Sequence, residues 1–138
     1  MSVFRDIQAA LDTKLNTISP AVATAWENKT YKPVKGTLYI RPTNLPGDTI
    51  QAGLGDTGED NTIGVYQVDV FAPGGKGKKA AVDQADTIAN LFKRGTDMVY
   101  NSRTVRVQSV SRGSARNDDG WYHLPVVINY YSFTSPRS

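Results

Sequence analysis

The chain has 138 residues, the length of one ordinary domain, and its 39% hydrophobic and 21% charged content is globular. It contains no cysteine and a single histidine, His123. That excludes disulfides, thiolate zinc and iron–sulfur sites, cysteine nucleophiles and any multi-histidine metal site within one chain.

The net charge of +3 is small, but it is spread unevenly. Residues 42–75 hold no Lys or Arg and five acids (Asp48, Asp56, Glu59, Asp60 and Asp69), whereas residues 76–116 hold nine basic and three acidic side chains. An acidic block followed by a basic one reads either as two solvated surfaces or as a head-to-tail contact, in which one subunit's acidic face meets its neighbour's basic face. No apolar run approaches a membrane span and Met1 to Asp6 does not begin a signal segment, so the expectation is a soluble protein made in the cytoplasm, with no membrane partner.

In chain order, Ser2 can cap a helix from Val3 to about Thr17, in which Phe4, Ile7, Leu11 and Leu15 form one apolar stripe. Ser19 and Pro20 end it. Ala21 to Trp26 is a short apolar stretch that reads as a strand. Thr37 to Arg41 reads as another, closed by Pro42 and Pro46. Gly47 to Gly64, rich in Gly, Asp and Thr, reads mostly as a loop or extended arm, with an acidic arm over about residues 47–62. Val65 to Phe71 alternates, with Tyr66, Val68 and Val70 on one face of a half-buried strand.

Lys78 to Arg94 is the second predicted helix, with Ala81, Ala85, Ile88 and Phe92 on its packing face. Asp83 and Asp86 lie toward its start, Lys93 and Arg94 toward its end, and Gly95 stops it. Met98 to Tyr100 and Thr104 to Val110 read as a hairpin turning at Asn101 and Ser102. Arg112 to Gly120 reads as a polar loop, with Asp118, Asp119 and Gly120 as a turn. Trp121 to Thr134 is a long strand of central character, with Val126, Ile128 and Tyr130 on one side. The expected fold is α+β: one domain, residues 1–138, with two helices on a largely antiparallel or mixed sheet of about five strands.

Motifs for catalysis fail one by one. Gly74 to Lys78 before a helix resembles a phosphate loop, but Ala72 stands where the first glycine belongs and Lys79 where a hydroxyl belongs. What remains is a cluster of Lys76, Lys78 and Lys79 at a helix start, either a solvated turn or an anion-attracting patch. Asp56 to Asn61 does not follow the calcium-loop pattern. His123 has no accompanying nucleophile motif and reads as structural or exposed, and no G-x-S-x-G occurs. Arg103, Arg106, Arg112 and Arg116 keep a nucleic-acid module in view without forming one stripe. The chain reads as a non-enzyme with no cofactor and no metal.

An ordered series of short motifs carries a resemblance. It consists of Trp26-Glu27-Asn28, Gly36 with Tyr39-Ile40-Arg41, Leu45-Pro46, Leu54-Gly55, Gly64 with Tyr66-Gln67-Val68-Asp69-Val70, Pro73 with Gly77, Ala85-Asp86 with Ile88, Phe92 with Arg94-Gly95, and Trp121-Tyr122 with Pro125-Val126. The series resembles the tail terminator, or tail-completion, proteins of long-tailed bacteriophages. The resemblance implies a compact subunit that forms a homohexameric ring, stacks on the last ring of major tail-tube protein, stops its polymerisation and offers a surface to the head–tail connector or neck protein. It places the protein in the virion, at the head-proximal end of the tail, and implies binding without catalysis. On that basis Asp56, Glu59, Asp60, Lys76, Lys78, Lys79 and Arg94 are candidate subunit-interface contacts, or lumen contacts with non-specific attraction to passing DNA. The alternatives are another phage neck or head–tail completion role and a small nucleic-acid-binding domain.

Overall fold

The computed structural model describes residues 3–18, 22–27, 32–33, 36–51, 60–74, 79–100, 103–118 and 120–134. Its elements are α1 (Val3–Leu15), β1 (Ala23–Thr24), β2 (Tyr39–Gln51), β3 (Asp60–Pro73), α2 (Lys79–Leu91), β4 (Asp97–Tyr100), β5 (Arg103–Arg112), β6 (Arg116–Asp118) and β7 (Trp121–Thr134). The strands form one sheet in the order β1-β2-β3-β7-β5-β4, with β6 alongside β7. Every pairing is antiparallel except β1 with β2.

Both helices form where the apolar stripes place them. Ile7, Leu11 and Leu15 of α1 and Ala81, Ala85 and Ile88 of α2 are buried, with Phe92 just past the end of α2. They meet the buried side of the sheet: Ile40, Tyr66, Val68, Val70, Val105, Val107, Val126, Ile128 and Tyr130. Helix α2 lies over β7 and β3, while α1 touches β4 and β5 and also β2, at the other end of the strand order. The sheet therefore curls around the helices. Helix α2 ends at Leu91, short of the expected Arg94, so Gly95 is not its stop; at φ 87°, a left-handed conformation that glycine adopts at little cost, it shapes a turn closed by the Thr96 N–H on the Lys93 carbonyl. Ser2 lies outside the described residues.

Four further expectations are corrected. Among the described residues the sheet has seven strands rather than about five: β1 falls within the expected Ala21 to Trp26 strand, whereas β6 is three residues long and carries no periodic signal of its own. For the same reason part of the polar segment 112–120 is strand, its turn leading from β6 into β7. Strand β2 does not close at Pro42 and Pro46 but runs through both to Gln51. The Ile40 carbonyl accepts from the Ala25 N–H, so Ile40 turns its backbone groups away from β3. Pro42, Asn44 and Pro46 share its parity in an unshifted register. Both proline nitrogens thus face the outer edge, where no ladder bond is lost. Third, Gly47 to Gly64 is strand at both ends: Thr49, Ile50 and Gln51 pair with Thr62, Asn61 and Asp60 past a bulge between Pro46 and Thr49. Here backbone pairing overrides composition, and the rest of the predicted acidic arm lies outside the described residues. Last, α2 has no acid in its first turn and no base in its last, so Asp83, Asp86, Lys93 and Arg94 do not complement its dipole, whose effect fades within one turn.

Gly64 sits where β3 passes under Tyr130. A Cβ there would lie 2.6 Å from Tyr130 Cζ. The ring cannot retreat freely, because it is buried and its hydroxyl donates to Asn44 Oδ1 at 2.7 Å; burial pushes that hydroxyl up to about 12 despite the Asn44 bond. Gly64→Ala is expected to cost about 1–3 kcal/mol by overpacking, read as a lower midpoint in thermal or denaturant unfolding, and Gly64→Ala with Tyr130→Phe should recover part of the loss.

Candidate functional site

The candidate residues taken from the sequence do not converge. Asp56, Glu59, Lys76 and Lys78 lie outside the described residues. Asp60 opens β3, its backbone paired with Gln51 on one side and Thr134 on the other. Lys79 begins α2 and pairs with Asp83 one turn on, at 2.8 Å, which holds its ammonium above the ordinary lysine range. Arg94 is exposed beyond the opposite end of that helix, with no partner among the described residues. The basic residues of the second half are largely engaged. Arg106 pairs with Asp97 at 2.6 Å, Arg112 with Asp86 at 3.5 Å, and Arg116 reaches His123. The Arg106 bond holds the Asp97 carboxyl below the usual range.

Two constellations that no sequence spacing announced stand out. The first surrounds His123, on the helix-free side of the sheet. Phe71 faces His123 across the β3–β7 ladder, and their rings stack at 4.5 Å. Asp69 lies diagonal to His123, and its buried Oδ1 lies 2.8 Å from His123 Nε2. Arg116 Nε donates to Nδ1 at 3.3 Å, so Nδ1 carries the lone pair and Nε2 the proton given to Asp69. Gln67 also donates to Asp69 Oδ1, Arg41 stands 3.8 Å from Oδ2, and the Arg41 guanidinium lies over Phe71. With both ring nitrogens engaged, His123 is the structural histidine the sequence pointed to, and it has no lone pair left to act as a base.

The second is an open cleft of about 380 Å³ lined by Asp12, Thr13 and Asn16 of α1 and by Trp26 and Glu27 after β1. Asp12 accepts from the buried Tyr66 hydroxyl at 2.5 Å. Glu27 Oε1 accepts the outward Asn44 N–H at 2.7 Å, the groove-side bond between the two prolines of β2, and a longer bond from Gln8. Burial, followed by the charge of Glu27, raises the Asp12 carboxyl, against the lowering effect of the Tyr66 bond. Burial and the Asp12 charge raise the Tyr66 hydroxyl far above its ordinary value. Neither carboxylate has an ion-pair partner among the described residues. Two uncompensated carboxylates beside an indole suit the cationic end of a lysine or arginine side chain. No metal-binding group of three acidic or histidine side chains forms among the described residues.

Two outcomes follow. Asp69→Ala strips the acceptor from His123 and Gln67 and leaves Arg41 unopposed, so a loss of about 1–3 kcal/mol is expected in denaturant unfolding, with a smaller loss for Asp69→Asn. For Asp12 the folded value lies above the unfolded 3.8, so the folded chain binds more protons in the window just above 3.8 and loses stability as pH rises through it. Asp12→Asn keeps an acceptor for Tyr66 and removes the charge. Its unfolding midpoint should therefore gain on the wild type above that window, with the difference shrinking toward acid pH.

A family model described as phage tail terminator protein matches residues 6–130. A solved structure with no functional name is similar over 99% of each chain, at 28% identity and a TM-score of 0.78. No curated protein matches significantly. The matched span runs from within α1 through the buried core of β7, taking in both constellations, so the chain belongs to the phage tail terminator protein family.

Proposed function

We propose that copies of this chain assemble into a hexameric ring that seats on the end of the tail tube, halts addition of further tube subunits and presents its other surface to the head–tail connector. The family is structural and non-enzymatic, and membership implies association with the tail tube. The observation that carries the reading is the continuity of the match. It spans 6–130, so the whole folded body, rather than a borrowed segment, belongs to a tail component. The geometry supports a binding role. The one histidine is locked between Asp69 and Arg116, and the open cleft offers fixed charge and an aromatic wall, with no nucleophile and base paired in it.

The nucleic-acid alternative draws less support, because Arg106 and Arg112 are committed to Asp97 and Asp86 within the subunit. Lys76, Lys78 and Lys79 remain proposed contacts, toward a neighbouring subunit or toward DNA in the lumen.

The test is polymerisation of purified tail-tube protein with and without this chain. Substoichiometric addition should shorten the tubes, and electron microscopy with a labelled chain should place it at one tube end only. An unchanged length distribution, with label along the tube or absent from it, would overturn the proposal.

A further inference from the structure

The helix-free face of the sheet is not dressed for water along its whole length. In an antiparallel sheet with one solvated face, positions alternating with the core are normally polar. Here Ile63 and Val65 alternate with the core residue Tyr66 in β3, Leu45 lies across from Val65, and Tyr131 lies across from Ile63. Among the described residues four large hydrophobic side chains are exposed, and Leu45, Ile63 and Val99 are three of them. Val99, next to the buried Met98 in β4, lies on this same face. Register thus joins exposed and half-buried apolar groups across β2, β3 and β7, with Thr104 and Arg106 of β5 standing between them and Val99, the arrangement of a contact surface rather than of scattered surface residues. Arg41 and Arg106, each about half exposed (51% and 50%), bracket the patch. With Arg116 they set three guanidinium groups against the carboxylates of Asp69 and Asp97 on this side of the sheet.

The complement is present on the same molecule. The cleft of Asp12, Trp26 and Glu27 lies on the α1 side of the curled sheet, with an aromatic wall and two carboxylates that have no ion-pair partner among the described residues. We infer that the helix-free face of one copy docks against the α1–β1 cleft side of the next, apolar patch toward Trp26 and the half-exposed Arg41 flank toward Asp12 and Glu27. The two surfaces differ and lie on opposite sides of the sheet, so the contact is heterologous and propagates head to tail, as closure into a ring requires. This inference rests on the ring reading and gives it its surfaces. It also shifts the expected acidic partner from the 47–62 arm to residues of α1 and the segment after β1.

The test uses full-length chains disabled on one surface each. Leu45→Asp with Ile63→Asp alters the face, and Asn16→Lys with Glu27→Lys alters the cleft; Asn16, Glu27, Leu45 and Ile63 are all exposed, and thermal unfolding checks that each variant folds. Self-association is measured by sedimentation velocity, for chains alone and seated on purified tail tubes. Each variant should self-associate at least tenfold more weakly than wild type, and an equimolar mixture should form a one-to-one dimer, since one intact face and one intact cleft remain. A cleft variant that associates like wild type, a mixture that stays monomeric, or a wild type that stays monomeric in both settings would overturn the inference. Normal association by a chain that does not bind tubes would instead refute the tail-capping reading alone.

Discussion

The antiparallel pairing of β3 with β7 is the constraint on which the other features rest. The two strands stay in unbroken register from Asp60 with Thr134 to Pro73 with Trp121. Because side chains alternate with period two, this one register decides both faces at once. It sets Tyr66, Val68 and Val70 beside Val126, Ile128 and Tyr130 under the helices. On the reverse it sets Phe71 against His123, brings Asp69 within reach of the imidazole and lines up Ile63 with Tyr131. A slip of one residue would turn the core outward and break every one of these contacts together.

Around that pair the two sides of the sheet are built differently. The helix side is an apolar core closed by two polar latches, Tyr66 on Asp12 and Tyr130 on Asn44, which tie β3 to α1 and β7 to β2. The other side carries a polar cluster at one end and hydrophobic side chains toward the other, with neither described helix above them. A protein whose work is to be a part of a larger structure needs surfaces of this kind more than it needs a reactive centre.

Much of this was legible in the sequence. The i, i+4 run Ile7, Leu11, Leu15 and its counterpart Ala81, Ala85, Ile88 located both helices. Strict alternation found the buried sides of β3 and β7, and the density of Val, Ile and Tyr marked β7 as central. Edges were not legible. Pro42 and Pro46 look like strand breakers, and only the knowledge that β1 pairs with just Tyr39 and Ile40 reveals an edge on which proline is harmless. The cleft and the His123 cluster escaped for a related reason. Asp12 and Tyr66, like Asp69 and His123, are 54 residues apart, and no local spacing rule joins groups that meet only through register and helix packing. Charge counting by segment found a polarity along the chain, but two of the acids it named, Asp56 and Glu59, lie outside the described residues.

The outer border of β2 has a bearing on assembly of its own. Two prolines offer no donor there, and the amide between them is already claimed by the Glu27 carboxylate. That stretch of β2 thereby resists the commonest route to fibrous precipitation, the stitching of one exposed ladder to another. Along that border, contact with another molecule is left mainly to side-chain shape and charge.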